Sequence, residues 1–596
     1  MNCNFKTVTA GLGLAGLLVL DPLSAAMKPG EYLNGQWSTE GDRGITFTYL
    51  PSQDASGARD GSGTLFGAVF GYDNAGEDTW LIVQGGFLEN QFEADGDITL
   101  LEGGTFANPP VTASPNDIGD VTFTLNSCGS VDVSFEFDGA VSDLPDVTWE
   151  LQPLGDAVGL PQGTQCPYEQ EFTGCPDFAQ SSEFLDRACV LNGRITDDII
   201  LGNETTWVLN GLVEIGGLNT NSGSVTIEPG TTIVGRGDGA DFLYINPGSQ
   251  IFAEGTRTAP IVMTSINDGF QEGFDPQPGD VGGLVVSGNA PCNAAAADGL
   301  CDSEFDPTLS YGGDDPFENS GVIRFMQVRF AGFEFEPNRE VNAFTFQSVG
   351  NGTTVDFIQA INGLDDGVEF FGGNVNVRHL VVTAGNDDGI DWDEGWSGKL
   401  QYGLVAYTDD SNGDHGIEAA NNGDNFDATP RATPVLSNLT ILGAAGTGEG
   451  IRLKEGSAGQ IWNSAVANFE SSCIHLQDEA TYVAAGSPSQ PSGVTAFAGV
   501  VIDGASCGEP FRQDPAGTFQ VSDFFAAFPG NENTGLMLDG FMPMAGSPLL
   551  TGGLRVTESL EADAAPDDFF NATTFRGAFD GINDWTTGWT KNPLGQ

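Results

Sequence analysis

A short acidic phrase recurs in the second half of the chain and contains the residues best suited to chemistry. It reads Asp-Asp-Gly-Val-Glu-Phe at residues 365–370, Asp-Asp-Gly-Ile-Asp-Trp at 387–392 and Asp-His-Gly-Ile-Glu-Ala at 414–419, with weaker versions at 448–453 and 471–476. Hydrophobic residues on either side of one charged residue are typical of a strand with two buried positions and one exposed position. The phrase therefore predicts a series of short strands that each present one charged side chain.

Stacking of these strands predicts a column of charged side chains. Repeats of about 20 to 50 residues indicate a solenoid, in which neighbouring strands lie about 4.8 Å apart. The charged positions would then form one exposed column of Glu369, Asp391, Glu418, Arg452 and His475. Carboxylates at this spacing repel each other unless a cation or solvent relieves them. The column is therefore a candidate site for cation binding or acid–base chemistry.

The turns before these strands add further carboxylates, and the strand register predicts Asp366 beside Asp388 and Glu369 beside Asp391. The candidate metal ligands are Asp365, Asp366, Glu369, Asp387, Asp388, Asp391, Asp393 and Glu418. Such a density of carboxylate oxygens suits calcium (Ca²⁺), which binds about 6–8 oxygen ligands. The alternative is that the Asp-Gly pairs only form turns and that their charges face solvent.

A second set of strands precedes the acidic phrases and supports the same solenoid. The predicted strand starts are Val322, Val355, Val377, Leu400, Leu436 and Ile461. Phe344 and Phe346 fit the inward column of the acidic phrases. Earlier in the chain, residues 225–233 are echoed by residues 243–251, and each segment reads as strand, Pro-Gly turn and strand. Both regions predict coils of stacked parallel strands with an apolar interior.

These aligned columns resemble right-handed parallel β-helices, and the Pro-Gly and Asp-Asp-Gly coils resemble a family of exported bacterial β-helix proteins. The resemblance covers residues 195–545, with a loop insertion at 288–319. Parallel β-helices include polysaccharide lyases and glycoside hydrolases, which use paired carboxylates or Ca²⁺ with a basic residue. The resemblance implies Asp366, Asp388, Asp391 and Arg452 as catalytic residues, if the protein is an enzyme. Such enzymes need a basic groove to hold an anionic polymer, and this chain has only 20 Lys and Arg residues. A binding scaffold is therefore favoured, and the enzyme is the alternative.

The flanks of the solenoid predict two further parts. Residues 27–155 alternate aromatic and polar residues between Asn/Gly turns, which predicts a small antiparallel barrel or sandwich. This segment resembles an accessory module of secreted bacterial proteins with a Gly-x-Trp motif, here Gly35-Gln-Trp37. Residues 546–596 are aromatic and predict a closing cap or a sorting signal. His379 is expected at an exposed strand position. The fold class is therefore all-β, a barrel or sandwich followed by a capped parallel β-helix.

Charge and targeting signals restrict the location and the partners. Asp and Glu outnumber Lys and Arg by 83 to 20, giving a formal charge of −63, so nucleic acid is an unfavourable partner. Residues 1–26 combine Lys6, an apolar run and a small-residue site, as in a cleaved signal peptide. No later run is long enough for a membrane span. We therefore expect a secreted or cell-surface protein that engages an extracellular glycan or matrix component.

The cysteines indicate disulfides. Cleavage of the signal removes Cys3 and leaves Cys128, Cys166, Cys175, Cys189, Cys292, Cys301, Cys473 and Cys507. An even number in an exported chain is typical of disulfide bonding. Position predicts the pairs Cys292–Cys301 and Cys473–Cys507, while the pairing of the other four stays open. Residues 156–194 hold three of those four and are predicted to form a connector.

Overall fold

The structure, a computed structural model, describes most of the chain from residue 35 onwards. The described residues are 35–39, 44–53, 59–72, 78–87, 93–102, 114–127, 130–139, 144–153, 174–185, 188–203, 205–237, 239–270, 274–294, 299–336, 339–409, 411–514, 519–557 and 565–591. The predicted signal peptide, Cys128 and Cys166 lie outside these residues. In the described part, no helix reaches the length and apolarity that a bilayer span requires.

The N-terminal part is a closed antiparallel barrel of eight strands. They are β1 (Gly35–Ser38), β2 (Gly44–Gln53), β3 (Arg59–Tyr72), β4 (Asp78–Phe87), β5 (Glu93–Glu102), β6 (Ser114–Ser127), β7 (Ser130–Phe137) and β8 (Val147–Pro153). Alternating residues such as Trp37, Phe47 and Phe123 point into a common core, and β1 pairs with β8 to close the sheet. The predicted antiparallel β module is confirmed.

The larger part is a parallel β-helix. Its opening strands are β9 (Gln180–Ser181), β10 (Ala188–Ile195), β11 (Ile199–Leu201), β12 (Thr206–Ile215), β13 (Ser224–Ile227), β14 (Thr232–Gly235), β15 (Phe242–Ile245), β16 (Gln250–Glu254), β17 (Ile261–Ser265) and β18 (Gly283–Ser287). Val225 pairs with Ile251, whereas Leu243 pairs with Val213. The echo between residues 225–233 and 243–251 is therefore not one coil repeat, because Pro-Gly turns occur at two different corners of the coil.

The insertion and the regular coils follow. Their strands are β19 (Cys301–Asp302), β20 (Ser310–Tyr311), β21 (Gly321–Arg329), β22 (Glu334–Glu336), β23 (Arg339–Glu340), β24 (Phe344–Gln347), β25 (Thr354–Ile361), β26 (Val368–Phe371), β27 (Asn376–Thr383), β28 (Ile390–Asp393), β29 (Lys399–Ala406), β30 (His415–Ala419), β31 (Val435–Leu442), β32 (Glu449–Leu453), β33 (Gly459–Trp462), β34 (Ala465–Ala467) and β35 (Ser472–Gln477). β19 and β20 form a hairpin within the insertion, and β22 and β23 form another.

The last coils contain two short helices and small strands. They are α1 (Glu479–Ala485), β36 (Gly486–Ser487), β37 (Gln490–Pro491), β38 (Thr495–Ala498), β39 (Val501–Ile502), β40 (Glu509–Asp514), α2 (Val521–Ala526), β41 (Glu532–Asn533), β42 (Leu538–Asp539), β43 (Met542–Pro543) and a 3₁₀ turn at Pro548–Leu550. Phe524 and Phe525 of α2 are buried against the core at this end of the solenoid. The short helices therefore close the late end of the β-helix.

Parallel stacking aligns the apolar columns almost as predicted. Phe344 and Phe346 pair with Val368 and Phe370. In the second column, Ile323 pairs with Val355. The prediction that this column starts at Val322 was therefore wrong by one residue. The later members of that column, from Val355 through Val377, Leu400 and Leu436 to Ile461, are in register. Inward side chains, including fully buried Trp392 and Trp396, form one continuous core.

Five long strands of the second column bend at one residue with positive φ, and the chain bends in the same way between β33 and β34. The bend residues are Phe325, Phe357, His379, Tyr402, Asn438 and Asn463, with φ between 47° and 67°. The first four rings stack, with centroids 4.4, 4.0 and 5.0 Å apart. Hydrogen bonding of His379 Nδ1 to Asp356 fixes the imidazole. The expectation that His379 is simply exposed was wrong, because the ring is half-buried in this stack.

Residues 554–557 and 565–591, the C-terminal strap, cover this stack along the side of the β-helix. Gln401 exchanges two hydrogen bonds with the backbone of Asn571, and Gln359 does the same with Lys591. Trp589 packs edge-on against Phe357. The described tail therefore runs back along the flank, and it does not close the end of the solenoid as the predicted cap would.

Three disulfides lie in the described part of the chain. Cys292–Cys301 and Cys473–Cys507 confirm the predicted pairs. Cys175–Cys189, a pair that the sequence alone does not specify, ties the connector to the first long strand of the solenoid. The Cys292–Cys301 bond lies within the insertion and packs with Tyr311 against Phe371 of β26.

Candidate carboxylate and cation site

The turns before β26, β28 and β30 are joined by a ladder of side-chain hydrogen bonds to the backbone. Asn342 Oδ1 accepts from the backbone N–H of Asp366, whose Oδ1 accepts from the N–H of Asp388 at 2.9 Å. Asp388 Oδ1 in turn accepts from the N–H of His415 at 2.7 Å. One carboxylate oxygen of each aspartate therefore holds the next coil in place, because a buried backbone N–H needs a partner.

The charged column is in the predicted register. Glu369 pairs with Asp391, and the Ile390–Ile417 pair puts Asp391 next to Glu418. Arg452 and His475 follow, and Arg512 extends the column by one coil. The predicted exposure was wrong: Glu369 is 8% exposed and His475 is 2% exposed. At the acidic end of the column, Ser303 and Tyr311 of the insertion contact Gln347 and Glu394 on this face of the coils. At the other end, His475 lies between Arg452 and Arg512 and contacts Glu449.

Two groups of three carboxylates share Asp391. Asp366, Glu369 and Asp391 each offer an oxygen within 4.8 Å of the other two, and so do Asp388, Asp391 and Glu418. A third group joins Asp365, Asp366 and Asp387 on the same coils. Asp391 Oδ1 is buried and has no hydrogen-bond partner among the described residues. Of the eight predicted metal ligands, Asp393 is the one outside these groups; its Oδ1 accepts from the backbone N–H of Glu394.

Burial and mutual repulsion make the carboxylates hard to ionise. Desolvation, followed by the charge of Asp387, raises the pKa of Asp365 well above its usual range. Desolvation is also the main reason that the pKa values of Asp366, Glu369 and Asp391 are raised. Burial with the nearby Asp388 charge raises the pKa of Asp387 to about 7. In the absence of a cation, this part of the site therefore holds protons near neutral pH.

The other half of the column is cationic. His415 Nδ1 lies 2.8 Å from Asp388 Oδ1 and 3.4 Å from Glu418 Oε1. Arg452 Nη1 donates to Glu418 at 3.0 Å, and Lys454 forms a short ion pair with the same carboxylate. Burial alone would raise the pKa of Glu418, but Lys454 and His415 outweigh it and lower that pKa. Glu418 is therefore the boundary between the acidic and the basic halves.

Glu449 is the centre of the basic half. His475 Nδ1 lies 2.7 Å from one oxygen, and Arg512 Nη1 donates to the other at 2.8 Å. Burial would raise the pKa of Glu449, but hydrogen bonding and charge from His475 outweigh it and lower that pKa. Burial also opposes ionisation of His415, yet the hydrogen bond to Asp388 raises the pKa of His415 to about 9.

The insertion contributes residues that sequence reasoning missed. Tyr311 Oη donates to Glu394 Oε2 at 2.5 Å. Burial raises the pKa of Glu394 to about 8, although this hydrogen bond lowers it. No repeat pattern pointed to Tyr311, because it comes from outside the coils. Glu449 and Arg512 were also missed, although they occupy positions equivalent to those of His415 and Glu418 in later coils.

The arrangement suits a hard cation. Asp366 and Glu369 each accept a hydrogen bond from the protein with one carboxylate oxygen. Asp391 has a carboxylate oxygen with no hydrogen-bond partner among the described residues. Clustered carboxylate oxygens are the donors that Ca²⁺ prefers, whereas Zn²⁺ prefers nitrogen and sulfur ligands. The cysteines near this face are already joined as Cys292–Cys301. The donor set therefore fits the calcium predicted from sequence.

Comparison with known proteins identifies the fold family. The structure is similar to a periplasmic alginate epimerase at 11% identity, covering 58% of this chain and 77% of that chain with a TM-score of 0.25. It is also similar to the catalytic domain of a GH87 alpha-1,3-glucanase in complex with nigerose, at 10% identity, 84% and 99% coverage and a TM-score of 0.20. No curated protein matches the chain. A family model described as a pectate-lyase-like beta helix domain matches residues 193–502, more than half of the chain, so the protein belongs to this family.

Proposed function

We propose that this chain is an exported glycan-binding β-helix protein that binds Ca²⁺ between Asp366, Glu369 and Asp391. The observation that carries the proposal is the position of Asp391, which is shared by two carboxylate groups and has a buried oxygen without a partner among the described residues. An unpartnered buried oxygen is unfavourable in a protein interior. A bound cation would satisfy it and offset the repulsion along the column.

Calcium would serve both structure and recognition. Glu369 and Asp366 are buried, whereas Asp391 and Glu418 are half-buried at the edge of the site. A cation held there would be anchored on its inner side by the coils and could accept oxygen ligands from a glycan on its outer side, since Ca²⁺ takes more ligands than three side chains provide. The family match supports a carbohydrate as the partner.

Export is supported by the disulfides and the charge. Three disulfides in the described residues are typical of an oxidising compartment. The formal charge of −63 keeps such a surface soluble and makes an abundant extracellular cation an effective ligand. Together with the predicted signal peptide, these features support a secreted or cell-surface location.

A polysaccharide lyase or glycoside hydrolase is the second candidate. The observation in its favour is the convergence of acids and bases that a plain scaffold would not need. His415 contacts Asp388 and Glu418, and Arg452 Nη1 lies 3.2 Å from His415 Nε2. Buried carboxylates with raised pKa values can act as general acids. In this alternative, Asp366, Asp388 and Asp391 would supply acid–base groups and Arg452 would stabilise developing negative charge.

Binding and turnover can be separated in one experiment. The mature protein is applied to immobilised polysaccharides with calcium or with a chelator, and new chain ends are assayed in the eluted glycan. We expect retention only with calcium, and a loss of about tenfold or more in calcium affinity for Glu369→Gln, which removes one charged ligand. Asp427→Asn is the matched control, because Asp427 is 78% exposed and ion-paired with Arg431.

Each outcome decides between the candidates. Retention with calcium and no new chain ends supports the binding protein. New chain ends that disappear in Asp388→Asn would establish the enzyme instead. Retention that is unaffected by the chelator and by Glu369→Gln would contradict the calcium site.

A further inference from the structure

The C-terminal strap crosses the coils that carry the charged column. In each of these coils, a long strand on the flank is followed by the short strand that contributes to the column, as β25 is followed by β26. The strap accepts hydrogen bonds from the long strands of four successive coils, through Gln359, Arg378, Gln401 and Asn438. The short strands of the same four coils carry Glu369, Asp391, Glu418 and Arg452. The strap therefore links on the flank the coils that meet in the column.

The flank holds the strap by its main chain. Gln359 donates to the carbonyl of Lys591 and accepts from the N–H of the same residue, at 2.6 and 2.9 Å. Gln401 binds the backbone of Asn571 in the same two-fold way, both bonds being 2.9 Å long. Both glutamine side chains are buried, and a buried amide needs hydrogen-bond partners. The strap supplies those partners, so its docking completes the hydrogen bonding of the flank.

Arg257 holds the last part of the strap from an earlier coil. It lies in the turn between β16 and β17, and its Nη1 donates to the carbonyls of Trp585 at 3.0 Å and Thr587 at 2.5 Å. Its guanidinium group lies 5.8 and 5.7 Å from the ring centroids of Phe325 and Phe357. Charge-assisted hydrogen bonds and cation–π contacts are among the stronger polar interactions of a protein surface. The strap is therefore anchored outside the coils of the column as well as on them.

The column pushes apart the coils that the strap ties together. Metal binding requires deprotonated ligands, and like charges on adjacent strands repel each other. In the column this repulsion acts between the coils that carry Glu369, Asp391 and Glu418. The two sides of each coil pack on one continuous core, so a coil that shifts at the column also shifts on the flank. Such a shift would break the bonds between the flank and the strap.

We propose that the C-terminal strap is a clamp that keeps the metal-free carboxylate column in the arrangement that binds calcium. The inference rests on the proposed calcium site and names its regulation. Loosening the strap lowers the fraction of molecules whose coils are correctly spaced, which raises the apparent dissociation constant for calcium. Because coupling between two sites is reciprocal, calcium in turn strengthens the docking of the strap.

Full-length Arg257→Gln and Gln401→Met test the clamp. Arg257 is exposed, so its replacement loosens the strap without disturbing the core. Calcium affinity is measured by titration calorimetry, and backbone hydrogen exchange of β26, β28 and β30 is measured with a chelator and with calcium. We expect calcium binding to weaken by about fivefold in each variant, at the lower end of the usual coupling between two sites. Exchange in these strands should be faster with the chelator and should slow again with calcium.

Arg194→Gln is the matched control, because Arg194 is 52% exposed and pairs with Glu214 rather than with the strap. Wild-type affinity and wild-type exchange of β26, β28 and β30 in both strap variants would overturn the clamp and leave the calcium site standing. Equal effects of Arg257→Gln and Arg194→Gln would overturn it too. No calcium binding by the wild type, with exchange that still depends on Arg257, would contradict the calcium site and leave the clamp on the coils standing.

Discussion

Asp391→Asn is expected to raise the melting temperature of the metal-free protein and to lower that of the calcium-saturated protein. In the metal-free state, Asp391 costs stability at neutral pH, because the folded protein must either bury its carboxylate beside Glu418 and Asp388 or take up a proton there. An amide keeps the shape and is neutral without that proton. With calcium, the same change removes a shared ligand. The substitution should therefore have effects of opposite sign in the two states.

The measurement is thermal unfolding of wild type and Asp391→Asn with a chelator and with excess calcium. At calcium concentrations of about 100 times the dissociation constant, wild type gains about 2.7 kcal/mol from binding. A loss of most of that gain should lower the melting temperature by about 3 °C or more. Asp427→Asn should change neither state. A variant that is destabilised equally in both states would show that Asp391 has only a structural role.

The metal-free protein is expected to lose stability as the pH rises from about 5 to about 8. The pKa values of Asp393, Asp387 and Glu394 are raised to about 6, about 7 and about 8, chiefly by burial. A carboxyl group with a raised folded pKa binds its proton more tightly in the folded state. Its stabilising effect is complete below the unfolded pKa near 4 and is lost as the pH rises through the folded pKa.

The titration of His415 also lowers the stability as the pH rises, whereas that of Glu418 raises it. The folded pKa of His415 is about 9, so its contribution is present below about pH 6.5 and fades above it. The lowered pKa values of Glu418 and Glu449 matter only below about pH 4.5, outside this window. Saturating calcium should flatten or reverse the slope, because metal binding requires deprotonated ligands.

Urea unfolding at several pH values, with and without calcium, checks this prediction. With the chelator, the urea concentration at the unfolding midpoint is expected to fall as the pH rises. With calcium, it is expected to stay level or to rise. A metal-free midpoint that is level between about pH 5 and about pH 8 would show that the carboxylates are solvated, as in the simple turn interpretation.

The register of the site could be predicted from sequence because it depends on local repetition. The spacing of Val368, Ile390 and Ile417 sets the inward column, and the charged residues that follow them are then aligned. The strands of the N-terminal module could be predicted for the same reason, because apolar and polar residues alternate along each of them. Both features come from strand periodicity, which the sequence shows directly.

The burial of the site could not be predicted in the same way. Tyr311 reaches Glu394 from an insertion 83 residues earlier in the chain. In a similar way, Trp585 of the C-terminal strap packs against His379. Such contacts follow from tertiary packing across coils, and no periodicity marks them. Arg512 was missed because Pro510 stands where Gly367, Gly389 and Gly416 precede the inward residue of the acidic phrase, so this coil no longer matches the phrase.

A crystal structure of the protein grown with calcium tests the central proposal most directly. We predict a peak of anomalous density bound by carboxylate oxygens of Asp366, Glu369 and Asp391 at about 2.3–2.6 Å. That peak should be absent from crystals of Asp391→Asn grown in the same solution. A wild-type map without density at this position, in which the carboxyl groups are hydrogen-bonded to one another, would contradict the calcium site.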